Sequence, residues 1–392
     1  MAIAGLRGTG SWSADERPKN FRETILWLNP NGVAPLTALL SKMSEESTDD
    51  PEFAWFEETL GHVRVQVTAN ALATDTTLTV SGALNLVKGD ILLAESDDGQ
   101  AELMEVTADP TSDTSVTVAR GIAGSTAADI TAPAYLTKIG NAHEEGARAP
   151  KATTRNPTKR VNYCQIFRTV YNLTNTATKT RLRTGDPVKN DKKRKMFDHA
   201  RDMELSFLFG RPYEDLTGSQ PKRYTGGLNN FISTNRRLFT STDPMTEDKL
   251  IDAIAPVFDY DGAGAGDERL AFCGNGALTA LNKVVRNSAS TRINFDQEIR
   301  VYGMRLQRLI LPQGVIYFRT HPLMNVHPVF TNSMFIINPR GLKYRYLRDT
   351  KPRDNIQLPD EDQLKGEWIT EAGLEVQHER TMAYIGGMNN IP

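Results

Sequence analysis

The stretch 161-VNYCQIFRTVY-171, followed by 188-VKNDKKRKMFDHARDMELSFLF-209, decides the fold of this chain. The first run predicts one long strand. In the second, Met196, Ala200, Met203 and Phe207 recur at helical spacing, which predicts an apolar stripe along a long helix that Gly210 ends. A helix of this length depends on packing for its stability. Its charged first turns contain no catalytic pattern, so we interpret this helix as a structural element of a larger assembly rather than as the wall of a pocket.

Length and composition bound the class of protein. The chain has 392 residues, enough for about two or three domains. Its formal net charge of −2 gives no whole-chain argument for binding nucleic acid or a membrane. Cys164 and Cys273 make neither a metal-binding pattern nor a disulfide framework, which favours a reducing compartment. We expect Cys164 to be a packed free thiol, with an inter-subunit disulfide to Cys273 as the alternative.

The charge is unevenly distributed along the chain. Positions 151–195 contain thirteen basic and two acidic residues, whereas positions 45–58 contain seven acidic residues and no basic one. Opposite patches on one chain favour self-association, in which the acidic arm of one copy meets the basic strand and helix of another. The candidate charged contacts are Arg160, Arg168, Lys192, Lys193, Arg194 and Lys195 on the basic side, and Glu45, Glu46, Asp49, Asp50, Glu57 and Glu58 on the acidic side.

The first residues resemble an extended arm rather than a signal peptide or a membrane span. Residues 1–32 are rich in glycine, serine and charge, with scattered aromatic side chains that need burial. Either a neighbouring subunit or the chain's own body could bury them, so Trp12, Phe21 and Trp27 complete the candidate contacts. Residues 33–43 predict a short helix with an apolar face.

The residue composition and the strand pattern of the sequence change between about residues 68 and 140. Short strand signals at 77–80, 90–93, 101–106, 115–118 and 134–137 alternate with turns. Tryptophan and phenylalanine are absent there, whereas threonine, alanine and glycine are abundant. This spacing predicts a small all-β module with its own core, inserted into the chain.

After the long helix, helices and strands alternate and predict an α+β domain. Thr246 is expected to cap a helix, and another helix is expected to begin at Asn275. Strands are predicted at 269–273, 299–302, 306–311 and 315–319, and then at 334–337, 342–347, 368–370, 374–377 and 382–385.

A search for chemistry assigns no catalytic, cofactor-binding or metal-binding residue. The glycine-rich run 262–266 lacks the lysine of a P-loop and the spacing of a dinucleotide fingerprint, so a flexible connector is favoured. His321 and His327 do not have a ligand spacing and are interpreted as structural histidines. His143 with Glu144 and Glu145 is interpreted as part of a solvated linker rather than an acid–base pair.

The basic cluster 192–195 allows two interpretations. Lysine and arginine contact phosphate without sequence preference, but aromatic residues that would stack on bases are few in this segment. Subunit contact is therefore the leading interpretation. A basic nucleic-acid-binding protein that uses residues 151–195 is the alternative, and an enzyme with a loop-built site in residues 240–332 is a third hypothesis without a supporting constellation.

The order of five short motifs resembles the tailed-phage major capsid proteins of the Hong Kong 97-type fold, in a subgroup with a β-rich insertion. The motifs are NAHEEG at 141–146, NYCQIF at 162–167, ELSFLFG at 204–210, TGGL at 225–228 and GLEVQHE at 373–379. Each is weak alone, and their order and spacing carry the likeness from about residue 30 onward.

This resemblance implies a division of the chain. Residues 1–50 would be the N-terminal arm, 51–67 and 141–175 the extended loop, and 68–140 a β domain inserted at its tip. Residues 176–239 would be the peripheral domain with the spine helix 188–209, 240–332 the axial domain, and 333–392 the strands that return to the peripheral domain. A fused scaffolding domain ahead of the arm would be absent or removed, and no cross-linking lysine or asparagine can be matched.

The resemblance also implies a function and partners. The chain would be a non-enzymatic structural protein without cofactors or membrane contact. It would assemble with itself, as hexamers and pentamers, into an icosahedral virion capsid built in the host cytoplasm. Packaged double-stranded DNA would lie against the inner face, with scaffolding, portal and decoration proteins as further candidate partners.

Overall fold

A computed structural model describes residues 36, 45–58, 63–95, 102–154, 156–182, 185–260, 266–287, 295–301 and 304–391. Apart from Leu36, the predicted helix at 33–43 lies outside these residues, as do most of the glycine-rich run and the arm aromatics. The chain divides into two compact units, Phe56–Lys159 and the rest, which are described separately.

The described residues form strands and helices that follow one another along the chain. The strands are β1 (Glu45–Ser47), β2 (Glu52–Glu57), β3 (Arg64–Val67), β4 (Thr77–Ser81), β5 (Asp90–Ala94), β6 (Leu103–Val106), β7 (Ser115–Ala119), β8 (Ala134–Asn141), β9 (Thr158–Tyr163), β10 (Gln165–Thr174), β11 (Tyr213–Asp215), β12 (Lys222–Tyr224), β13 (Arg236–Leu238), β14 (Glu268–Cys273), β15 (Phe295–Val301), β16 (Met304–Leu311), β17 (Gly314–Thr320), β18 (Met334–Ile337), β19 (Leu342–Arg353), β20 (Gln363–Val376) and β21 (Ala383–Gly386). The helices are α1 (Asn175–Lys179), α2 (Pro187–Phe209), α3 (Leu228–Phe231), α4 (Glu247–Ile254) and α5 (Asn275–Asn287).

The unit of residues 56–159 contains a closed barrel with the strand order β3-β4-β7-β6-β5-β8. Side chains that alternate along each strand fill the barrel: in β4, Leu78 and Val80 are buried, while Thr77 and Thr79 face outward. Because β8 pairs with β3, the sheet closes and leaves no open edge. The strand signals read from the sequence between 77 and 137 fall on β4 to β8, with β8 extending to Asn141.

A buried ion pair lies next to the ends of two barrel strands, just before β6 and just after β7. Arg120 Nε lies 2.6 Å from Glu102 Oε1, and both side chains are almost fully buried. Glu102 also accepts hydrogen bonds from the backbone N–H groups of Gly121 and Ala128. Burial alone would raise the pKa of Glu102, but Arg120 and these N–H groups outweigh it and lower that pKa. The pair therefore ties the loop after β7 to the start of β6.

The second unit contains a four-stranded sheet with the order β1-β19-β20-β10, and α2 packs on one face of it. The ring of Phe207 on α2 meets Phe167 of β10 at 6.3 Å and Tyr344 of β19 at 6.2 Å, both edge-on. Asp186 caps α2 by accepting from the N–H of Val188 at 2.9 Å, one residue before Pro187 begins the helix.

Two predictions about this region are wrong in detail. The single strand at 161–171 is two strands, because the N–H of Cys164 donates to Pro51 O at 2.7 Å and the chain changes partners there: β9 pairs with β2, and β10 pairs with β20. The apolar stripe of α2 is also shorter than expected. Met203 and Phe207 are buried, whereas Met196 is 52% exposed, and the sheet instead meets His199.

A seven-stranded sheet has the order β13-β21-β18-β14-β17-β16-β15, with α4 and α5 contributing to its core. Thr246 caps α4 as predicted, its hydroxyl oxygen accepting from the N–H of Lys249. This sheet crosses the expected boundary at residue 332, because β18 and β21 belong to it. The strands predicted at 368–370 and 374–377 are one strand, β20, which pairs with β10 from Gln363 to Ala372 and with β19 up to Val376.

Candidate inter-subunit surface

The basic cluster of α2 has acidic neighbours within its own chain. Lys192 Nζ lies 2.8 Å from Asp354 Oδ2. Arg194 lies 3.7 Å from Asp191, and Lys195 lies 3.5 Å from Asp198, each three residues along the helix. Lys193 is exposed. These pairs are open to water and contribute about 0–1 kcal/mol each. They reduce the positive charge that this cluster offers to a partner.

Lys192 belongs to a network that fixes the first half of α2 to the sheet. The hydroxyl of Tyr171 donates to Asp354, and Trp368 Nε1 donates to Lys192 O at 3.2 Å. Burial, together with the bond to Asp354, raises the pKa of Tyr171 to about 12. Lys192 and then Tyr171 lower the pKa of Asp354. Gly366 permits the network, because a Cβ there would collide with the Tyr171 hydroxyl.

The acidic stretch divides between paired and exposed groups. Glu45 and Glu46 lie in β1, which runs parallel to β19, and Glu46 contacts Arg345 at 2.7 Å. Partial burial opposes ionisation of Glu46, but Arg345 outweighs it and lowers the Glu46 pKa. The structure thus gives Glu46 a partner in its own chain, where the sequence predicted one in a neighbour. Asp49, Asp50 and Glu58 are exposed, and Glu57 is half-buried.

A row of buried carboxylates on β20 was missed by sequence reasoning. Glu367, Glu371 and Glu375 are four residues apart, so they share the sheet face opposite α2, and all are buried. Arginines from the flanking strands bind them: Arg168 to Glu367 at 2.6 Å, Arg348 to Glu371 at 2.8 Å and Arg345 to Glu375 at 2.5 Å. The detectable signal was the four-residue repeat of glutamate facing the basic residues of 343–353.

The carboxylate row gives the predicted contact residue Arg168 a partner within its own chain. Its guanidinium is fixed by Glu367, yet the side chain stays 56% exposed. Arg348 and Arg353 behave alike, with 51% and 57% exposure. The sheet face therefore presents positive groups in defined positions. Arg160, in β9, is half-buried.

The TGGL motif lies at the end of α2, where Asn162 holds it. Asn162 is fully buried, and its Nδ2 donates to Leu374 O at 2.6 Å and to Gly226 O at 3.1 Å. Its Oδ1 accepts from the N–H of Gly226 at 2.6 Å. A Cβ at Gly227 would lie 2.7 Å from Phe207 O, so only glycine allows this approach. Three segments far apart in sequence thus converge on one amide.

A second buried polar cluster joins the arm to α2. Glu204 Oε1 accepts from the N–H of Leu36 at 2.7 Å and from His321 Nε2 at 2.8 Å, and all three residues are fully buried. His321 therefore has a buried carboxylate partner on α2. His199, on the same helix, donates or accepts at both ring nitrogens with Thr169 and Thr370, and burial lowers its pKa.

The described residues contain no group of three or more His, Cys, Asp or Glu side chains that could hold a metal ion. None of the helices among them is long and apolar enough to cross a membrane. Cys164 and Cys273 are free and buried. Burial raises the pKa of Cys164 to about 12, so its thiol stays protonated and unreactive. The candidate aromatics Trp12, Phe21 and Trp27 lie outside the described residues.

Comparison with known proteins gives a consistent result. The family model described as SU10 major capsid protein matches residues 5–389. A major capsid protein of Pseudomonas phage PaMx41 is 27% identical over 350 residues, covering 88% of this chain and 82% of the relative. The capsid structure of a native GTA particle matches with a TM-score of 0.52 at 10% identity, covering 98% of this chain and 99% of that one. The empty GTA particle matches with a TM-score of 0.50 at 10% identity over 98% and 99% of the two chains.

Proposed function

Because this chain belongs to the SU10 major capsid protein family, and is therefore a structural protein of a tailed-phage virion capsid and not an enzyme, we propose that it self-assembles through repeated contacts into an icosahedral shell that encloses the phage DNA. The observation that carries this proposal is the family match across residues 5–389. A closed shell of identical chains needs each copy to present the same complementary surfaces. Hexamers and pentamers of the chain are its proposed building blocks.

The parts of a Hong Kong 97-type subunit are proposed as follows. The arm is residues 1–50, and the extended loop comprises 51–67 and 141–175, with the inserted β domain of 68–140 at its tip. The spine helix is α2, in a peripheral domain that begins near residue 176. The axial domain of 240–332 would also include β18 and β21, because they share its sheet. Of residues 333–392, the strands β19 and β20 would return to the peripheral domain.

Packaged DNA is proposed as a partner through weak, sequence-independent contact. The exposed basic group of Lys189, at the start of α2, would neutralise phosphate charge on the inner face. Because neighbouring basic groups are paired internally, this contact would be diffuse, and no observation favours a dedicated nucleic-acid-binding protein. Scaffolding, portal and decoration proteins are further proposed partners.

Electron microscopy of the purified chain, alone and with a candidate scaffolding protein, tests the proposed assembly. We expect rings, tubes or closed shells. A monodisperse monomer under both conditions would contradict the proposal. A salt series separates shell formation from DNA binding, because counterion release weakens DNA binding steeply with salt, whereas contacts with apolar burial should persist.

The barrel of residues 56–159 is proposed to project outward or to clamp a neighbour, in place of a separate cement protein. Its closed sheet and its own core support a self-contained module. Deletion of about residues 70–138, with a short linker in their place, should give shells that break at lower temperature or denaturant concentration. Equally robust shells from the deletion would rule out this role.

A further inference from the structure

Among the strands that lie at a sheet edge in the described residues, β10 and β2 have complementary chemistry. β10 is the last strand of the four-stranded sheet, and β2 has β9 as its one strand partner among the described residues. Every second residue of such a strand directs its backbone N–H and C=O away from the sheet. An uncovered edge of this kind is a template for pairing with another chain.

The free edge of β10 has a defined extent and chemistry. Gln165, at its start, is engaged by the N–H of Thr225, which donates to its side chain at 3.1 Å. From Arg168 to Thr174 the outer edge has no strand neighbour among the described residues. On the face opposite α2, Ile166 and Val170 are 51% and 40% exposed on either side of Arg168. The edge is therefore apolar and positively charged.

The strand β2 has the complementary chemistry. Phe53 and Trp55 point into their own chain and are buried. Between and beyond them, Ala54 is exposed and Phe56 is 68% exposed. The flanking acids Asp49, Asp50, Glu52 and Glu58 are also exposed, with no basic residue between positions 45 and 58. The outward side of β2 is therefore apolar and negatively charged.

We propose that β2 of one copy adds to the β10 edge of a neighbouring copy in the shell, an inference that rests on the proposed self-assembly. The six residues of β2 match the seven open residues of β10 in length. Phe56 would contact Ile166 and Val170, and the acidic flanks would meet Arg168, Arg348 and Arg353. Backbone bonds supply the attraction, while the side chains on alternate positions select the partner.

The buried glutamates of β20 suit the edge to this role. Because Glu367 binds both Arg168 and Arg353, at 2.6 and 3.3 Å, their guanidinium groups are already ordered before a partner arrives. Less side-chain freedom is then lost on association than with unrestrained arginines. The arginines keep more than half of their surface available, so they can contact an incoming carboxylate.

Disulfide trapping tests the contact directly, because the chain's own two cysteines are buried. Ala54→Cys is combined in turn with Val170→Cys and with Asn172→Cys, which lie two residues apart on one face and so sample alternative registers. Assembled particles oxidised under mild conditions should give covalent multimers on a non-reducing gel for at least one pair. The matched control combines Ala54→Cys with Leu238→Cys, which is 61% exposed on another edge strand, and should give none.

A charge exchange gives an independent measurement. Val170→Glu places a carboxylate opposite the acidic strand and should reduce assembly at least tenfold, and Phe56→Lys in the same chain should restore it. Unchanged tryptophan fluorescence shows that the charge variants fold. If Val170→Glu does not fold, the disulfide experiment still tests the contact. Shells of both double-cysteine variants that form no β2–β10 disulfide, or disulfides from Val170→Cys alone, would overturn the inference and leave the proposed function intact. Failure of the wild-type chain to assemble would overturn the proposed function itself.

Discussion

Asn162→Ala tests whether one buried amide holds the end of α2 in place. The substitution removes the donor to Leu374 O and the acceptor for the N–H of Gly226, both at 2.6 Å. Neither backbone group gains access to water, since Asn162 is fully buried. An unsatisfied buried backbone group costs about 1–3 kcal/mol. We therefore expect a loss of about 2–6 kcal/mol in the free energy of unfolding.

Urea titration followed by tryptophan fluorescence is suited to this measurement. All four tryptophans lie outside residues 56–159, so the signal reports the unit that contains Asn162 and is silent for the barrel. With a urea slope of about 2–3 kcal/mol per molar, the midpoint should fall by roughly 0.7–3 M. The measurement is made at a protein concentration where no particles form, because assembly would add its own stabilisation.

Asn172→Ala on the exposed face of β10 is the matched control. Its side chain bonds only to Gln363 at the surface, at 2.5 Å, so we expect a change below about 0.5 kcal/mol. Asn162→Asp is the informative third variant, because its ionised carboxylate would face the carbonyl oxygens of Leu374 and Gly226. It should be less stable than wild type at neutral pH and recover on acidification, when a protonated oxygen can donate. If Asn162→Ala unfolds within about 0.5 kcal/mol of wild type, the reasoning is wrong.

Three further outcomes follow from the described contacts. The pKa of Tyr171 is raised to about 12 in the folded chain, so this residue contributes stability that is present below pH 10 and is lost as pH rises to 12. Urea titrations at a series of pH values should show that the free energy of unfolding of Tyr171→Phe falls by about 2–3 kcal/mol less than that of wild type over this range. Gly227→Ala places a Cβ 2.7 Å from backbone carbonyl oxygens and should cost about 1–3 kcal/mol, whereas Gly218→Ala, with its nearest contact at 3.5 Å, should be near neutral. Arg120→Met leaves Glu102 buried without its cation, so hydrogen exchange of the barrel amides should show a loss of about 3–5 kcal/mol while the tryptophan midpoint stays unchanged.

The sequence predicted those elements whose pattern is local. Periodicity located α2, and the hydroxyl of Thr246 located the start of α4, because a cap and an apolar spacing depend on neighbouring residues alone. The division at Cys164 was not predictable in this way. It depends on a bond to Pro51, more than a hundred residues earlier, and nothing in the local pattern marks the exchange of partners.

The prediction of contact residues had the same limit, because pairing between charges also depends on residues that are far apart in sequence. Charge counts indicated opposite patches along the chain, but they could not show that Glu46 would find Arg345 in its own chain. They also overlooked Glu367, Glu371 and Glu375, since a glutamate in a strand is ordinarily read as exposed. Three-dimensional pairing decides which charges are used internally and which stay available to a neighbour.

The division between internal and available charges has a consequence for assembly. The buried polar groups Asn162, Glu204 and Glu367 each join segments that are far apart in sequence, and a satisfied network of this kind favours one arrangement over its alternatives. The exposed pairs on α2 contribute little individually. A shell multiplies each contact by the number of copies, so weak contacts suffice only if every copy presents them in the same geometry. Rigid subunits with modest surface energies can therefore build a stable lattice, and disruption of a buried network should impair assembly even where no surface residue has changed.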